Sequence, residues 1–146
     1  MNFGKPILIE GSIAIDDRGE VRFVNQFDLA AHNIHRIYFT SNHCAGTVRA
    51  WHGHKHESKC VTAVTGSALV CTVPLNGLEI EVERFVLSAN KPTVLMIPCG
   101  YANGWKSLTS DCRLLWFSSA TLAESREDDI RFDVYKWLNP WETIER

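Results

Sequence analysis

Three histidines at alternate positions form the group of side chains in this sequence that is best placed to do chemistry. The segment RAWHGHKHESK, which begins at Arg49, holds three of the chain's six histidines: His52, His54 and His56. Alternate residues of a β-strand point to one face, so a strand here predicts a row of imidazoles. Arg49 and Lys55 then point to the opposite face, unless a bulge interrupts the strand.

The residue types alone are compatible with three kinds of site. The row of histidines could be an exposed polar strand with no chemical role. The His-x-His spacing also suits a metal, because neutral imidazoles are common metal ligands. A third interpretation needs no metal: an imidazole can remove a proton from a carbon next to a carbonyl group. Arg49, Lys55 or Lys59 could then bind phosphate or stabilise an enolate.

The composition predicts one domain, residues 1–146, of a protein without a nucleic-acid or membrane surface. The 146 residues carry a formal net charge of −2, which gives no broad basic surface. The first residues lack the pattern of a signal peptide, and the apolar runs are too short to span a bilayer, so we expect a cytoplasmic protein. The cysteine count of five is odd and there is no C-x-x-C pair, which favours reduced thiols.

Short segments rich in Val, Thr, Ile and aromatic residues predict an all-β sandwich or barrel. The predicted strands cover residues 35–41, 47–56, 59–75 with a bend at Gly66, 79–88, 92–98 and 112–119. Asn76-Gly77 is the strongest signal for a short hairpin turn. Thr121 and Glu124 have the spacing of a helical capping box. Trp137 and Trp141 are expected to pack against something, a neighbouring subunit being one candidate.

Several motifs, in order, resemble those of the cupin fold and, more narrowly, of the nucleotide-sugar cupins. They are DDRGE at 16–20, VRAWH at 48–52 with Lys59 downstream, and IPCGYANGW at 97–105. These resemble the D-x-R-G, V-x-R-G-x-H and I-P-x-G-x-x-H-G-F elements of the dTDP-4-dehydrorhamnose 3,5-epimerases and the related dTDP-4-keto-6-deoxyhexose 3,4-ketoisomerases. The resemblance extends from Asp17 to about Asp133.

The resemblance implies a fold and an activity. The expected fold is a cupin-type jelly-roll β-sandwich with a short helical or irregular C-terminal tail. The expected function is epimerisation next to the keto group of a nucleotide-linked, dTDP-type 4-keto-6-deoxy sugar, for glycan or polysaccharide synthesis. The 3,4-ketoisomerase activity is the first alternative. The resemblance also implies no cofactor, no metal, and a homodimer whose D-x-R-G element reaches across the interface.

The same resemblance assigns roles to individual residues. His52 matches the base that removes the proton, Lys59 matches the lysine that holds the enolate, and Asp133 is taken as the carboxylate that orients the base, with Asp129 nearly as good a match. His54 is the second histidine that the ketoisomerases use. The expected substrate-binding residues come from four segments of the chain: Arg18, Tyr38, Arg49, Lys55, Tyr101, Asn103 and Trp105.

Two departures from the family pattern keep other interpretations open. Trp116 stands near the place of the tyrosine that serves as the acid in the epimerases, and an indole N–H is only a hydrogen-bond donor. Tyr38 or Tyr101 could replace that acid, or the protein could be a sugar-binding cupin without turnover. Asn103 stands where metal-binding cupins carry a later histidine, and Glu57 follows His54 too closely, so a metal-dependent cupin enzyme ranks lower.

Overall fold

The computed structural model describes residues 4–77 and 81–146, and these residues form mostly antiparallel strands. The elements in that part of the chain are twelve strands and one helix: β1 Ile7–Glu10, β2 Ser12–Asp16, β3 Gly19–Phe23, β4 Arg36–Ser41, β5 Val48–His54, β6 Lys59–Thr65, β7 Ser67–Pro74, β8 Glu83–Ser88, β9 Thr93–Ile97, β10 Tyr101–Ser107, β11 Arg113–Ser118, α1 Leu122–Glu127 and β12 Ile130–Arg131.

Two five-stranded sheets carry the core. The first has the strand order β1-β9-β6-β11-β4 and the second has the order β12-β5-β10-β7-β8, while β2 and β3 form a separate hairpin. Apolar side chains from both sheets pack together between them, including Val61 and Leu114 from the first sheet and Val70 and Leu87 from the second. Alternation along each strand sends one set of side chains into this layer. The predicted all-β sandwich is confirmed.

The strongly β-forming segments are strands, as predicted, and the weaker ones were missed. Gly66 separates β6 from β7 at a φ of +63°, a conformation that favours glycine and explains the bend. The sequence did not predict β1 to β3, β10 or β12. Strand β10 reads YANGWKS, which contains Asn and Gly and therefore has low β-propensity, yet it lies between β5 and β7.

The hairpin turn predicted at Asn76-Gly77 is followed by residues 78–80, which lie outside the described part of the chain. Among the described residues, the antiparallel pairing of β7 with β8 extends to Thr72 and Glu83. The strand predicted over 79–88 is observed from Glu83 to Ser88, and its first residues lie outside the described part of the chain.

The C-terminal residues cover the outer face of the second sheet. Helix α1 begins with the predicted capping box of Thr121 and Glu124. Trp137 and Trp141 then pack against Trp51, with ring centroids 5.2 and 4.8 Å from it. The tryptophans of the tail therefore pack within their own chain instead of on a neighbouring subunit. Among the described helical residues, none forms a helix with the length and apolar character that crossing a bilayer requires.

Candidate functional site

A cavity of about 120 Å³ lies between the two sheets. One wall comes from β5 and β10 and the other from β4, β6 and β11, and the lining side chains are Tyr38, Thr40, Arg49, His52, Lys59, Asn103, Trp105 and Trp116. Six of the residues predicted for the site therefore meet here: Tyr38, Arg49, His52, Lys59, Asn103 and Trp105. They come from strands far apart in sequence, so the sandwich is what brings them together.

A bulge in β5 places Arg49 and His52 on the same wall. In a regular strand, residues three apart point to opposite faces. Here His52 pairs with Asn103, but Arg49 pairs with Trp105, so β5 has one more residue than β10 between these pairs. Both side chains consequently face the cavity. The sequence-based expectation that Arg49 points away from the histidines holds only for a strand without a bulge.

His52 is a neutral imidazole flanked by two charged groups. Its Nδ1 lies 3.7 Å from Asp129 Oδ1, and its Nε2 lies 3.4 Å from Arg131 Nη1. Because a guanidinium can only donate, Nε2 is assigned as the acceptor and the ring proton is assigned to Nδ1, on the side of Asp129. Burial, followed by the charges of Arg131 and Lys59, lowers the pKa of His52 to about 4. A neutral imidazole can accept a proton at pH 7.

Lys59 brings a buried amino group to the cavity, and His54 lies behind it. The Lys59 Nζ atom is 2.9 Å from His54 Nε2. His54 Nδ1 in turn lies 3.1 Å from the buried carboxylate oxygen Glu57 Oε2. Burial is the main cause that lowers the pKa of both Lys59 and His54, and Glu57 opposes it in both cases. His54 is therefore held near the site without lining the cavity.

Arg49 is fixed by an amide that sequence analysis did not identify. Its Nε donates a 2.9 Å hydrogen bond to Asn42 Oδ1. The Asn42 amide nitrogen donates to the backbone oxygen of Thr47 and to Ser107 Oγ, at 3.0 and 3.2 Å. Since Asn42 has partners on both sides, the guanidinium is held in one orientation, which suits the recognition of an anion or an enolate oxygen.

Aromatic side chains form the opposite wall. Tyr38 on β4 stacks on Trp116 on β11 with a centroid distance of 6.0 Å and an interplanar angle of 3°. The Trp116 indole donates a 2.8 Å hydrogen bond to Thr40 Oγ1. Burial and the negative charge of Glu57 raise the pKa of Tyr38 well above its usual value. The phenol is therefore protonated at neutral pH and reaches the site from the side opposite to β5.

Besides His54, four predicted site residues do not line the cavity. Arg18 is exposed in the β2–β3 turn and pairs with Asp16. Lys55 follows the end of β5, where the chain leaves the sheet, and its side chain is exposed. Tyr101 is buried in the core at the far end of β10. Asp133 accepts a hydrogen bond from the backbone of Tyr135.

The carboxylate beside His52 is Asp129, which corrects the choice of Asp133. The short strand β12 pairs with β5 through Arg131 and His52, and this pairing brings the residues around Arg131 next to the imidazole. Sequence reasoning ranked the two aspartates as nearly equal and missed Arg131. The sequence signal that could have found both is DDIRF itself, where a β-branched residue between charges suits a short edge strand.

The three histidines do not form a common row. His56 lies beyond the end of β5 and is exposed, whereas His52 and His54 face inward. Its backbone N–H, like those of Lys55 and Glu57, is bound by the carboxylate of Asp128. Within residues 4–77 and 81–146, no group of three or more His, Cys, Asp or Glu side chains has a metal-binding arrangement. The three-histidine metal site considered above is thus not assembled.

Comparison with known proteins places most of the chain in one family. The family model described as "FdtA: WxcM-like, C-terminal" matches residues 6–138. No curated protein sequence matches the chain.

Solved structures with the same architecture cover nearly the whole chain. The dTDP-4-dehydrorhamnose 3,5-epimerase of Bacillus anthracis, with TDP and PPi bound, has a TM-score of 0.82 at 21% identity over 99% of this chain and 89% of its own. The 3,4-ketoisomerase QdtA of Thermoanaerobacterium thermosaccharolyticum, in complex with TDP, has a TM-score of 0.68 at 20% identity over 88% of each chain. The 3′-monoepimerase ChmJ of Streptomyces bikiniensis, in complex with dTDP-quinovose, has a TM-score of 0.78 at 17% identity over 100% of this chain and 81% of its own. These identities establish a shared fold, which is the cupin-type sandwich that the motifs resemble.

Proposed function

Because the chain belongs to the WxcM-like, C-terminal (FdtA) family, we propose that it is an isomerase acting on a dTDP-linked 4-keto-6-deoxy sugar. One observation carries the proposal: a neutral imidazole, a guanidinium and a buried amino group, from His52, Arg49 and Lys59, line one cavity. These are the groups needed to remove a proton next to a ketone and to hold the resulting oxyanion. Similar structures hold TDP, dTDP-quinovose or TDP-4-keto-6-deoxyglucose.

The size of the cavity indicates which part of the substrate enters it. Its volume of about 120 Å³ is well below the roughly 300–1,000 Å³ of sites that enclose a drug-sized ligand. Only the reacting part of the sugar can therefore lie between the sheets, and the nucleotide lies outside. Arg131 stands at the edge of the site with an exposed side chain, where it can contact the diphosphate.

The first step is the removal of the proton from carbon 3, beside the ketone at carbon 4. His52 accepts that proton at Nε2, in place of the contact with Arg131 Nη1. The C–H electron pair forms the double bond between carbons 3 and 4, and the carbonyl electrons move to O4. Asp129 stabilises the imidazolium that forms, since its carboxylate lies 3.7 Å from Nδ1. Arg49 and Lys59 hold the negative charge on O4.

We favour transfer of the carbonyl from carbon 4 to carbon 3, which is 3,4-ketoisomerisation. In this outcome His52 returns its proton to carbon 4 on the same face, so no acid is needed on the other face. Trp116 stands near the place of the epimerases' acid tyrosine, and its N–H is bound to Thr40. An indole cannot supply a proton to carbon.

Epimerisation at carbon 3 is the second candidate, and the position of the Tyr38 side chain favours it. Its side chain lines the wall opposite to β5 and is stacked beside Trp116. A proton delivered from Tyr38 would reach the face opposite to His52 and invert carbon 3. The raised pKa of Tyr38 makes the phenol a weaker acid, which is why this outcome ranks second.

We further propose that the protein works as a homodimer. Ile37 and Phe39 alternate with cavity-lining residues of β4, so they lie on the outer face of the first sheet, and both are exposed. The β2–β3 hairpin adds exposed Ile15 and Val21. Apolar surface of this kind suits an interface. The resemblance to the nucleotide-sugar cupins implies that this hairpin crosses to a second copy, which would bring Arg18 to the partner's site.

Product analysis by NMR tests the proposal. The protein is incubated with dTDP-4-keto-6-deoxyglucose, and the carbonyl carbon of the product is identified. A 3-keto sugar supports ketoisomerisation, whereas a 4-keto sugar inverted at carbon 3 supports epimerisation. Binding without turnover, with no exchange of the carbon 3 proton, would contradict both and favour a sugar-binding cupin. A product formed only after addition of a metal would favour the metal-dependent alternative.

A further inference from the structure

A carboxylate, an imidazole and an ammonium group meet in the buried layer behind the cavity. Glu57 and His54 are each only 3% exposed and Lys59 is 8% exposed. Buried charged groups are costly unless they are paired, so their arrangement must be compensated locally. The mechanism above uses only the cavity end of this group, at Lys59.

One oxygen of Glu57 is fully occupied and the other faces only His54. Oε1 accepts a 2.7 Å hydrogen bond from Ser118 Oγ and a 3.3 Å contact from Arg36 Nη2. Oε2 lies 3.1 Å from His54 Nδ1, and the line between the two atoms departs from the direction of the N–H bond. Neither atom has another hydrogen-bond partner in the described part of the chain. Two buried polar atoms left facing each other point to a shared proton.

The contact between Lys59 and His54 limits the number of protons on the pair. Nζ and Nε2 are 2.9 Å apart, so one must donate and the other must accept. Two cations at this distance in a buried layer would repel strongly. Lysine is the stronger base, so the ammonium belongs to Lys59 and the Nε2 lone pair belongs to His54. The ring proton of His54 is then on Nδ1, where it faces Glu57.

We propose that Glu57 is a positioning residue that keeps a single positive charge on the Lys59–His54 pair, with the ammonium on Lys59. Lys59 can then move the hydroxyl proton of the sugar between O3 and O4. The carboxylate orders a chain in which Lys59 donates to His54 and His54 donates to Glu57. The protonation state of the Lys59–His54 pair does not depend on the proposed function. The proton transfer on the sugar rests on the proposed 3,4-ketoisomerisation.

The proton transfer on the sugar begins at O4. After His52 has taken the proton of carbon 3, O4 takes a proton from the Lys59 ammonium. The neutral amine of Lys59 then removes the proton from the hydroxyl group at O3. The electron pair of O3 forms the new carbonyl at carbon 3. The electron pair of the double bond between carbons 3 and 4 then takes the proton of His52 at carbon 4. Both His52 and Lys59 return to their starting states.

Several other charged groups act on Lys59 and must be considered in its titration. Glu57 and Asp129 raise its pKa, while Arg36 and Arg131 lower it. His54 contacts it directly, and His52 and Tyr38 line the same cavity. Asp129 also acts on His54, and Asp128 Oδ2 lies 3.7 Å from His54 Nδ1. Glu57 is distinguished from these two carboxylates because it raises the pKa of both Lys59 and His54 more than either of them does.

The test is NMR of the free protein, with lysine labelled at Cε and histidine labelled with ¹⁵N. In Glu57→Gln we expect Lys59 to lose its proton about one to three pH units lower than in the wild type. Glu127→Gln is the matched control, because Glu127 is exposed at the end of α1 and does not line the cavity that holds Lys59, so the titration of Lys59 should be unchanged. In the wild type, His54 should show the Nδ1–H tautomer.

Either of two results overturns the proposal: an unchanged Lys59 titration in Glu57→Gln, or an Nε2–H tautomer of His54. The tautomer is read in the wild type, so it decides the matter even if the variant fails to fold. In the folded variant, we also expect product formation at neutral pH to fall about a hundredfold while exchange at carbon 3 falls much less. If the NMR results are as expected but the wild type has no turnover, the proposed function is wrong and the proposed protonation state of Lys59 and His54 is still correct.

Discussion

At the scale of single residues, His52 is the group on which the proposed chemistry depends. It is polarised from two sides, by Asp129 at one ring nitrogen and by Arg131 at the other. Its lowered pKa follows mainly from burial and then from two neighbouring cations. The same environment therefore keeps His52 unprotonated at neutral pH, while the carboxylate of Asp129 offsets part of the cost of the imidazolium that forms.

The pH dependence of activity reports this environment. We expect kcat/KM to stay level from pH 7 down to about pH 5 and to fall as the pH approaches 4, because the folded enzyme protonates His52 at a pKa of about 4. Unfolded chains protonate histidine near pH 6.5, so the free energy of unfolding should decrease as the pH falls from about 6.5 to about 4.

Two variants separate the causes of that pKa. Arg131→Gln removes a cation and should move the acidic limb of kcat/KM to higher pH, whereas Asp129→Asn removes an anion and should move it to lower pH. A wild-type limb centred near 6.5, or the same shift in both variants, would contradict the assignment of His52 as the buried base.

At the scale of the elements, the site depends on the bulge in β5. Gly104 lies on β10 between the two register pairs, and a Cβ there would meet Ala50 Cβ at 2.5 Å. The close approach of the two strands at this point requires glycine. A glycine inside a strand is a signal for such a feature, but it does not show which neighbouring strand bulges.

Gly104→Ala should therefore disturb the site from a distance. The added methyl group forces β5 outward between Arg49 and His52, and overpacking of this kind costs about 1–3 kcal/mol. We expect a lower melting temperature together with a loss of kcat that exceeds what the loss of folded protein explains. Gly4→Ala is the control, since a Cβ at Gly4 meets nothing within 4 Å. Wild-type activity in Gly104→Ala would show that the bulge does not position the site.

The C-terminal tail can be tested in the same way. Trp141 is 3% exposed and packs on Trp51, so Trp141→Ala should lower the free energy of unfolding by about 3–5 kcal/mol. Leu138 is 86% exposed and its change to alanine should cost little. Denaturant unfolding of the two variants provides the comparison. Equal effects would mean that the tail is not part of the folded core.

The sequence predicted the elements whose patterns are local and missed what depends on pairing. Periodicity identified β4 to β7, β9 and β11, and spacing identified the cap of α1. The inward position of Arg49 could not be predicted, because it follows from the register of β5 against β10. Asn42 and Glu57 were not assigned to the site for a similar reason: each acts through a contact with a residue on another element.

At the scale of the whole molecule, the outer face of the first sheet sets the expected assembly. Phe39 is 65% exposed on that face, beside Ile37 on the same strand. We expect Phe39→Arg to convert a dimer into a monomer in sedimentation, because a charge in an apolar interface lacks a partner. Leu138→Arg, on an exposed position of the tail, should leave the dimer intact. A wild-type protein that sediments as a monomer at all concentrations would refute the proposed interface.

The removal of the carbon 3 proton of the sugar by His52 can be followed by deuterium exchange. The protein is incubated in D₂O with dTDP-4-keto-6-deoxyglucose, in parallel with a His52→Asn variant, and deuterium is located by NMR. In the wild type we expect a 3-keto product, with deuterium at carbon 3 or carbon 4 wherever the proton on His52 exchanges with solvent before it is returned, and neither in the variant. Turnover in the His52→Asn variant equal to that of the wild type, or a wild type that binds the sugar with neither a 3-keto product nor exchange at carbon 3, would contradict the assignment of His52 as the base.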